Sequence, residues 1–343
     1  EAEAAWSAST RFAARLRVCR AIVPTSTARA QGSFAITGGL GGLGLRAAAM
    51  LVESGAPGVV LASRSGRVVR DGQGLESQLQ TMGALAAVCV CDSADAYDTG
   101  TLLCAARRLT SVLHAAGAGD KGVLVELDAR RVHWVRASKA MGAWHLQCTA
   151  ASTCLVETRV LFSSVGSGLG NVGQANYAVA NACLDAHASS QRARGTSACS
   201  LQWPLVGGAG MGAAAFAAVG ARQIAVAGLA GISLEEYAAC LRLQLAANAG
   251  VAPCSAQVVH HAEVRTLLHD LADPSQARFG ELVAQAKHTS ARVGTGPMIP
   301  MLASAAGSAL ALSSSHLGPP LQRRGHVEAL VLRVVRELTG APA

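Results

Sequence analysis

The chain has 343 residues, 51% of them hydrophobic and 15% charged, which supplies a sizeable core and leaves room for about two domains. Aromatic residues make up only 3%, so the stacking surface of a single-strand nucleic-acid binder has little to be built from. The 29 basic against 21 acidic residues give +8, spread over scattered arginines and three lysines, Lys121, Lys139 and Lys287, and this suits mild steering toward an anionic partner other than nucleic acid.

Ten cysteines are dispersed without a CxxC pair and without Cys/His spacing suited to zinc. They read as buried free thiols in a reducing, cytoplasmic setting, with no metal site. Because the first residue is Glu1, the chain is expected to be a fragment, and an upstream signal or upstream domains stay open. No membrane span is expected, since the longest uncharged run, residues 293–322, is interrupted by Gly, Pro and Ser and reads as a linker.

In chain order, a β-rich run at 33–37 meets a glycine cluster and then an Ala/Leu-rich helical stretch to Ser54. Further short apolar runs follow at 58–63, 86–91, 111–115, 159–164 and 198–203, most of them separated by helix-like segments. This alternation predicts an α/β domain, a parallel sheet wrapped by helices, over residues 32–287. His260 and His261 read as the face of a last strand rather than a metal site.

The cluster Thr37-Gly38-Gly39-Leu40-Gly41-Gly42-Leu43-Gly44 holds a GxGxxG match at Gly39, Gly41 and Gly44, placed after a strand and before a helix. There the missing side chains let backbone amides approach a pyrophosphate, so dinucleotide binding is expected. An acid at the end of the second strand would favour a ribose 2′-hydroxyl, but the chain reads Ser63-Arg64-Ser65. Arg64 suits a 2′-phosphate, which points to NADPH.

The TGxxxGxG pattern of Thr37, Gly38, Gly42 and Gly44 resembles the short-chain dehydrogenase/reductase superfamily, a Rossmann-like doubly wound parallel sheet. His114-Ala115-Ala116-Gly117 looks like its cofactor-lining segment. Ser163-Ser164, the run from Gly173 to Asn181 and Lys139-Ala140-Met141-Gly142-Ala143 are similar to the ketoreductase domain of modular polyketide synthases. The resemblance implies Lys139, Ser164, Tyr177 and Asn181 as the catalytic set, with the lysine drawn from the preceding helix and Asn181 four residues after Tyr177, where most of the superfamily has its lysine. Chemically, Tyr177 would supply a proton, Ser164 a hydrogen bond to the oxyanion, and Lys139 the cation that eases proton loss. Ser163 is separated from Ser164 only by spacing. Asp92 fits either an adenine contact or a helix cap at Asp92 or Ser93. Trp203 is expected to pack, and Met211 with residues 212–219 to form a mobile lid behind hinges at Gly207-Gly208.

The same resemblance implies an NADPH-dependent β-ketoacyl reductase acting on a phosphopantetheine-tethered chain of an acyl carrier protein. A stand-alone reductase of free ketones and a silent scaffold domain remain as alternatives. Residues 1–31, with Arg11–Leu16 as a strand, look like the remnant of a structural half otherwise missing; 288–325 reads as linker, and 326–343 as the start of a carrier domain. The stereochemical markers read Gly119-Asp120-Lys121 and Leu169, without the tryptophan of L-producing relatives, and this leans to a D-configured product.

Overall fold

The computed structural model describes residues 4–7, 10–13, 16, 32–68, 73–105, 109–153, 156–170, 173–208, 210, 213, 232–247, 255–257, 268–269 and 275–293. Two compact units are present, one of residues 19–123 and 130–271, the other of residues 1–18, 124–129 and 272–343. In the smaller unit, β1 (Ala4–Ser7) and β2 (Thr10–Ala13) form an antiparallel hairpin, so the strand expected from Arg11 begins one residue earlier and pairs with its predecessor.

The larger unit contains a parallel sheet of seven strands: β3 (Ser33–Thr37), β4 (Val59–Ser63), β5 (Ala86–Val90), β6 (Leu109–His114), β7 (Thr158–Ser164), β8 (Ala198–Trp203) and β9 (Ser255–Gln257). Their spatial order is β5-β4-β3-β6-β7-β8-β9. Six coincide with the expected apolar runs. Residues 260 and 261 lie outside the described residues, as do Met211, the expected lid apart from Ala213, and residues 294–343.

The central strands carry apolar residues on both faces, which requires helices on both sides. Phe34 and Ile36 enter one core, with α1 (Gly42–Glu53), α2 (Leu75–Met82) and α8 (Leu234–Ala247). Ala35, between them, faces the other core with α3 (Ala96–Ala105) and α5 (Gly142–Thr153). Farther along that second side, Leu161 of β7 packs with Leu184 and Ala188 of α7 (Ala175–Ala193). The period-two alternation therefore decides the doubly wound architecture. Trp203 ends β8 in the first core, its ring 4.6 Å from Tyr237 and 5.7 Å from Phe162, as expected for a packing residue.

Two segments matter for the site. α4 (Ala129–Arg136) continues into α5 through a five-residue π turn, Ala137–Met141. The short α6 (Val165–Leu169) follows β7 directly and is capped by the Ser164 side chain. Among the described residues no disulfide forms: Cys91 and Cys199 are buried, but Cys104 and Cys148 are exposed, which corrects the expectation of uniformly buried thiols. Among the described residues, no helix is long and apolar enough to cross a membrane and no His/Cys/Asp/Glu cluster could hold a metal.

Candidate active site

β3 and β6 are neighbours, and the chain leaves them toward opposite edges of the sheet, so their C-terminal ends open the crevice where such sheets bind ligands. Gly38 turns the chain out of β3 at φ +67°, in the left-handed region. A Cβ there would stand 2.7 Å from the Ala116 nitrogen, and one on Gly44 would run into the Gly38 carbonyl oxygen. Larger residues would push apart the turn, the helix and the β6 end. Gly41, the N-cap of α1, offers no side-chain cap and the first turn carries no acid, leaving the amides of Gly42 and Leu43 without a competing side chain.

The other expected nucleotide residues surround this turn. The Leu40 side chain is buried in the core and Leu43 packs against it, so both could serve a nucleotide only through backbone. Thr37 points inward, its Oγ1 2.7 Å from His114 Nδ1. Arg64 is exposed just beyond β4, in a turn held by a 3.1 Å bond from the Gly66 amide to Ser63 Oγ. Ala115 continues β6 by donating its amide to the Thr37 carbonyl at 3.0 Å, and a Cβ on Gly117 would lie 2.8 Å from Lys139 Cε. The expected nucleotide-lining segment and the expected catalytic lysine are thus adjacent. Asp92 accepts from the Ala94 amide at 3.0 Å, while Asp95 caps α3 by accepting from Tyr97 and Asp98 at 2.8 and 3.0 Å. The cap is therefore Asp95, not Asp92 or Ser93, and Ser93 instead donates to the Ser138 carbonyl.

The four catalytic candidates converge. Lys139, the middle residue of the π turn, is 3% exposed; its Nζ donates to the Phe162 carbonyl at 2.9 Å and lies 5.3 Å from the centre of the Tyr177 ring. Burial lowers its pKa to about 8, opposed by the Asp185 carboxylate. Tyr177 stands in the first turn of α7, and burial pushes its phenol up while hydrogen bonds from Asn181 and Ser164 pull it back. Near neutral pH this gives a protonated phenol beside an ammonium ion, the pairing a proton donor needs. Asn181, one turn on and fully buried, donates Nδ2 to the Tyr177 carbonyl at 2.8 Å, and its Oδ1 has no partner. Ser163 turns the other way, donating to the Asn181 carbonyl at 3.3 Å, so the strand's alternation leaves Ser164 as the hydroxyl that meets Tyr177.

Three further residues support the set: sequence reasoning reaches His114 only within the cofactor-lining segment and Asp120 only as a stereochemical marker, and it misses Asp185. His114 is fully buried and bonded at both ring nitrogens, to Thr37 and to the Lys139 carbonyl at 2.9 Å. Asp185, eight residues after Tyr177 on the same face of α7, accepts from Ser167 Oγ at 2.6 Å, Gln202 Nε2 at 2.7 Å and Ser200 Oγ. Asp120 is gripped by Arg131 at 2.7 and 2.9 Å and by Asn176 Nδ2 at 2.7 Å, which ties the loop after β6 to the residue before Tyr177. The i, i+4, i+8 recurrence of polar residues along α7 is the one sequence signal that could have found Asp185.

A crevice at the switch point of a doubly wound sheet, with a serine, a tyrosine and a lysine gathered beside it, is the arrangement expected of an oxidoreductase of the short-chain type. Residues 32–208 match the family described as KR domain, and the chain belongs to that family. It is 40% identical over 225 residues to the spectinabilin polyketide synthase system protein NorB of Streptomyces orinoci, a match covering 64% of this chain and 10% of that protein. Among solved structures it resembles the A-type ketoreductases from a modular polyketide synthase, with a TM-score of 0.71 and 28% identity over 83% of this chain and 59% of that one. The first ketoreductase of the tylosin polyketide synthase is similar at a TM-score of 0.66 and 29% identity, over 83% of this chain and 61% of that structure. The chain thus spans about a tenth of this curated relative and about three fifths of each of these structures.

Proposed function

We propose that this chain reduces a β-ketoacyl thioester, carried on the phosphopantetheine arm of an acyl carrier protein, to the β-hydroxyacyl thioester at the expense of NADPH during polyketide or fatty acid synthesis. The observation that carries the reading is the placement of Lys139 from the π turn under the Tyr177 ring, with Asn181 one turn beyond the tyrosine. Family membership and the polyketide-synthase relatives support the setting, with other synthase domains, including the structural half, as partners.

The residues present fit the nucleotide. The glycine cradle and the start of α1, with no side-chain cap and no acid in its first turn, suit a pyrophosphate held by Thr37 to Gly44, while Ser63 and Arg64, with no acid at the end of β4, suit a 2′-phosphate. Asp92 and Ala115 to Gly117 complete the lining. When bound, the nicotinamide supplies a hydride to the ketone carbon. Ser164 orients the ketone oxygen by hydrogen bonding, and Tyr177 passes its phenolic proton to that oxygen as negative charge develops there. Lys139, as the ammonium ion, stabilises the phenolate left behind, and Asn181 fixes the first turns of α7 so that the phenol stays aimed. The direct test is oxidation of NADPH by the purified chain with a β-ketoacyl thioester against simple ketones; a preference for simple ketones overturns the thioester assignment.

Arg64→Ala is expected to weaken NADPH by about 1.5 to 3 kcal/mol, roughly one to two decades in Kd, and to leave NADH nearly unchanged. Fluorescence titration of both nucleotides checks this, and equal losses would show that Arg64 does not meet the 2′-phosphate.

The product is expected to carry the D-configured hydroxyl. Lys121 is exposed on the loop after β6, Leu169 ends α6 in place of a tryptophan, and Asp120 is anchored to Asn176 beside the catalytic tyrosine. The side on which the pantetheine arm enters decides which face of the ketone meets the hydride. Chiral chromatography of the reduced thioester reads the outcome, and a predominantly L product refutes it.

A further inference from the structure

The helix running from α4 into α5 is interrupted only at its π turn, where the Gly142 amide reaches back five residues to the Ala137 carbonyl. Such turns are rare inside α-helices and are frequent at functional sites. Here two side chains from outside the helix meet its carbonyls. His114 Nε2 meets the Lys139 carbonyl at 2.9 Å, and Ser93 Oγ donates to the Ser138 carbonyl at 3.3 Å. A carbonyl oxygen can only accept, so the His114 proton lies on Nε2. The opposite nitrogen, Nδ1, is 2.7 Å from the hydroxyl of Thr37, the last residue of β3 and the one before the glycine turn. The ring is fully buried, and Gly142 rests against it: a Cβ there would come within 2.8 Å of His114 Cε1.

We propose, resting on the reductase reading above, that His114 is a positioning residue for Lys139, holding the carbonyl of the π turn so that the ammonium group stays under Tyr177 and in fixed relation to the nucleotide crevice. The Thr37 hydroxyl donates to Nδ1 and Nε2–H donates to the Lys139 carbonyl, a continuous connection from the end of β3 to the catalytic lysine. Burial first, and then the neighbouring Lys139 charge, lower the His114 pKa to about 3, so the connection does not change with pH in the working range. The titratable groups that act on this pair are Asp185 and His187, both on α7, together with Tyr177 against Lys139. Any fully buried histidine needs partners for its ring nitrogens; what marks this one is that the acceptor at Nε2 is the carbonyl of Lys139 itself.

The test uses the full chain with two readouts. The first is the pH profile of kcat for thioester reduction. The second is NMR of protein labelled with isotopic lysine, in which only Lys121, Lys139 and Lys287 can give signals and Lys139→Met assigns the relevant one. His114→Ala is expected to lower kcat by about 10- to 100-fold through misplacement of the lysine. As water reaches Nζ, it should also raise the Lys139 midpoint by about one pH unit. His114→Gln, which retains a donor for the Lys139 carbonyl, should recover part of both. If His114→Ala melts earlier yet keeps the native pH profile and the native Lys139 signal, the proposal is overturned. Should the alanine variant fail to fold, His114→Gln decides by the same readouts: a Lys139 midpoint above the native one together with a lowered kcat supports the proposal, and a native midpoint with a native kcat and pH profile overturns it. The NMR arm does not depend on turnover, so a chain that failed to reduce any thioester would sink the reductase reading while the positioning claim was still judged on the Lys139 signal.

Discussion

Tyr177→Phe is expected to lower kcat for thioester reduction by about two to four orders of magnitude, the worth of a positioned general acid. The substitution removes one oxygen from a half-buried ring and leaves the α7 backbone contacts, the Asn181 bond to the Tyr177 carbonyl and the Asn176 bond to the Tyr177 amide, untouched. NADPH affinity should therefore hardly move, since the crevice at Gly38 to Gly44 lies on other elements. Burial favours the protonated phenol, so on the proposed reading the proton is in place before a ketone arrives. Comparing single-turnover rates with nucleotide titrations of the same preparation separates the two effects. Substantial activity in Tyr177→Phe would mean that another group supplies the proton and would remove Tyr177 from the site.

What could be read from the sequence follows from what is locally encoded. The strands β3, β4, β6, β7 and β8 are buried on both faces or nearly so, and they announce themselves as short apolar runs with abrupt ends. The glycine turn is legible for a different reason: close approach of backbone to backbone demands glycine at fixed spacing, and Gly38 and Gly44 show the contacts that enforce it. The π turn has no such signature, because Ala137 to Met141 are ordinary helix formers and the groups bonded to its carbonyls, His114 at the end of β6 and Ser93 in the loop after β5, are distant in sequence. Lys139 was therefore placed by resemblance, and the residue that holds it was read only as part of a cofactor-lining segment. The cap of α3 is Asp95 because the helix starts at Ala96, and by residue type Asp92, Ser93 and Asp95 are equally competent caps. Exposure of Cys104 on α3 and Cys148 on α5 likewise depends on helix rotation, which helices with little amphipathic contrast do not fix in advance.

Lys139→Met should nearly abolish turnover and yet resist denaturation better than the native chain at neutral pH. The activity loss, about two to three orders of magnitude, is that of a charge stabilising the developing phenolate. The stability effect has the opposite sign because the Lys139 pKa is lowered from 10.5 to about 8, chiefly by burial. Below pH 8 both folded and unfolded states carry the proton, and the folded state bears the whole cost of a buried ammonium ion. Between about 8 and 10.5 the unfolded chain binds more protons, so stability of the native protein rises with pH, and above that window the cost is gone. The span corresponds to roughly 3 kcal/mol. Methionine keeps most of the buried stem and does not titrate, but it leaves the Phe162 carbonyl without the 2.9 Å donor, a loss of about 1 to 3 kcal/mol at every pH. The variant should thus be the more stable of the two at pH 7, and its advantage should shrink and reverse as pH rises toward 10.5, while native turnover declines above about pH 8 as Lys139 loses its proton. Urea midpoints for both proteins at pH 7 and pH 10.5 measure the crossing. A difference between them that stays constant across that range would mean that Lys139 keeps an ordinary pKa, and the buried ammonium would then have to be withdrawn from the mechanism.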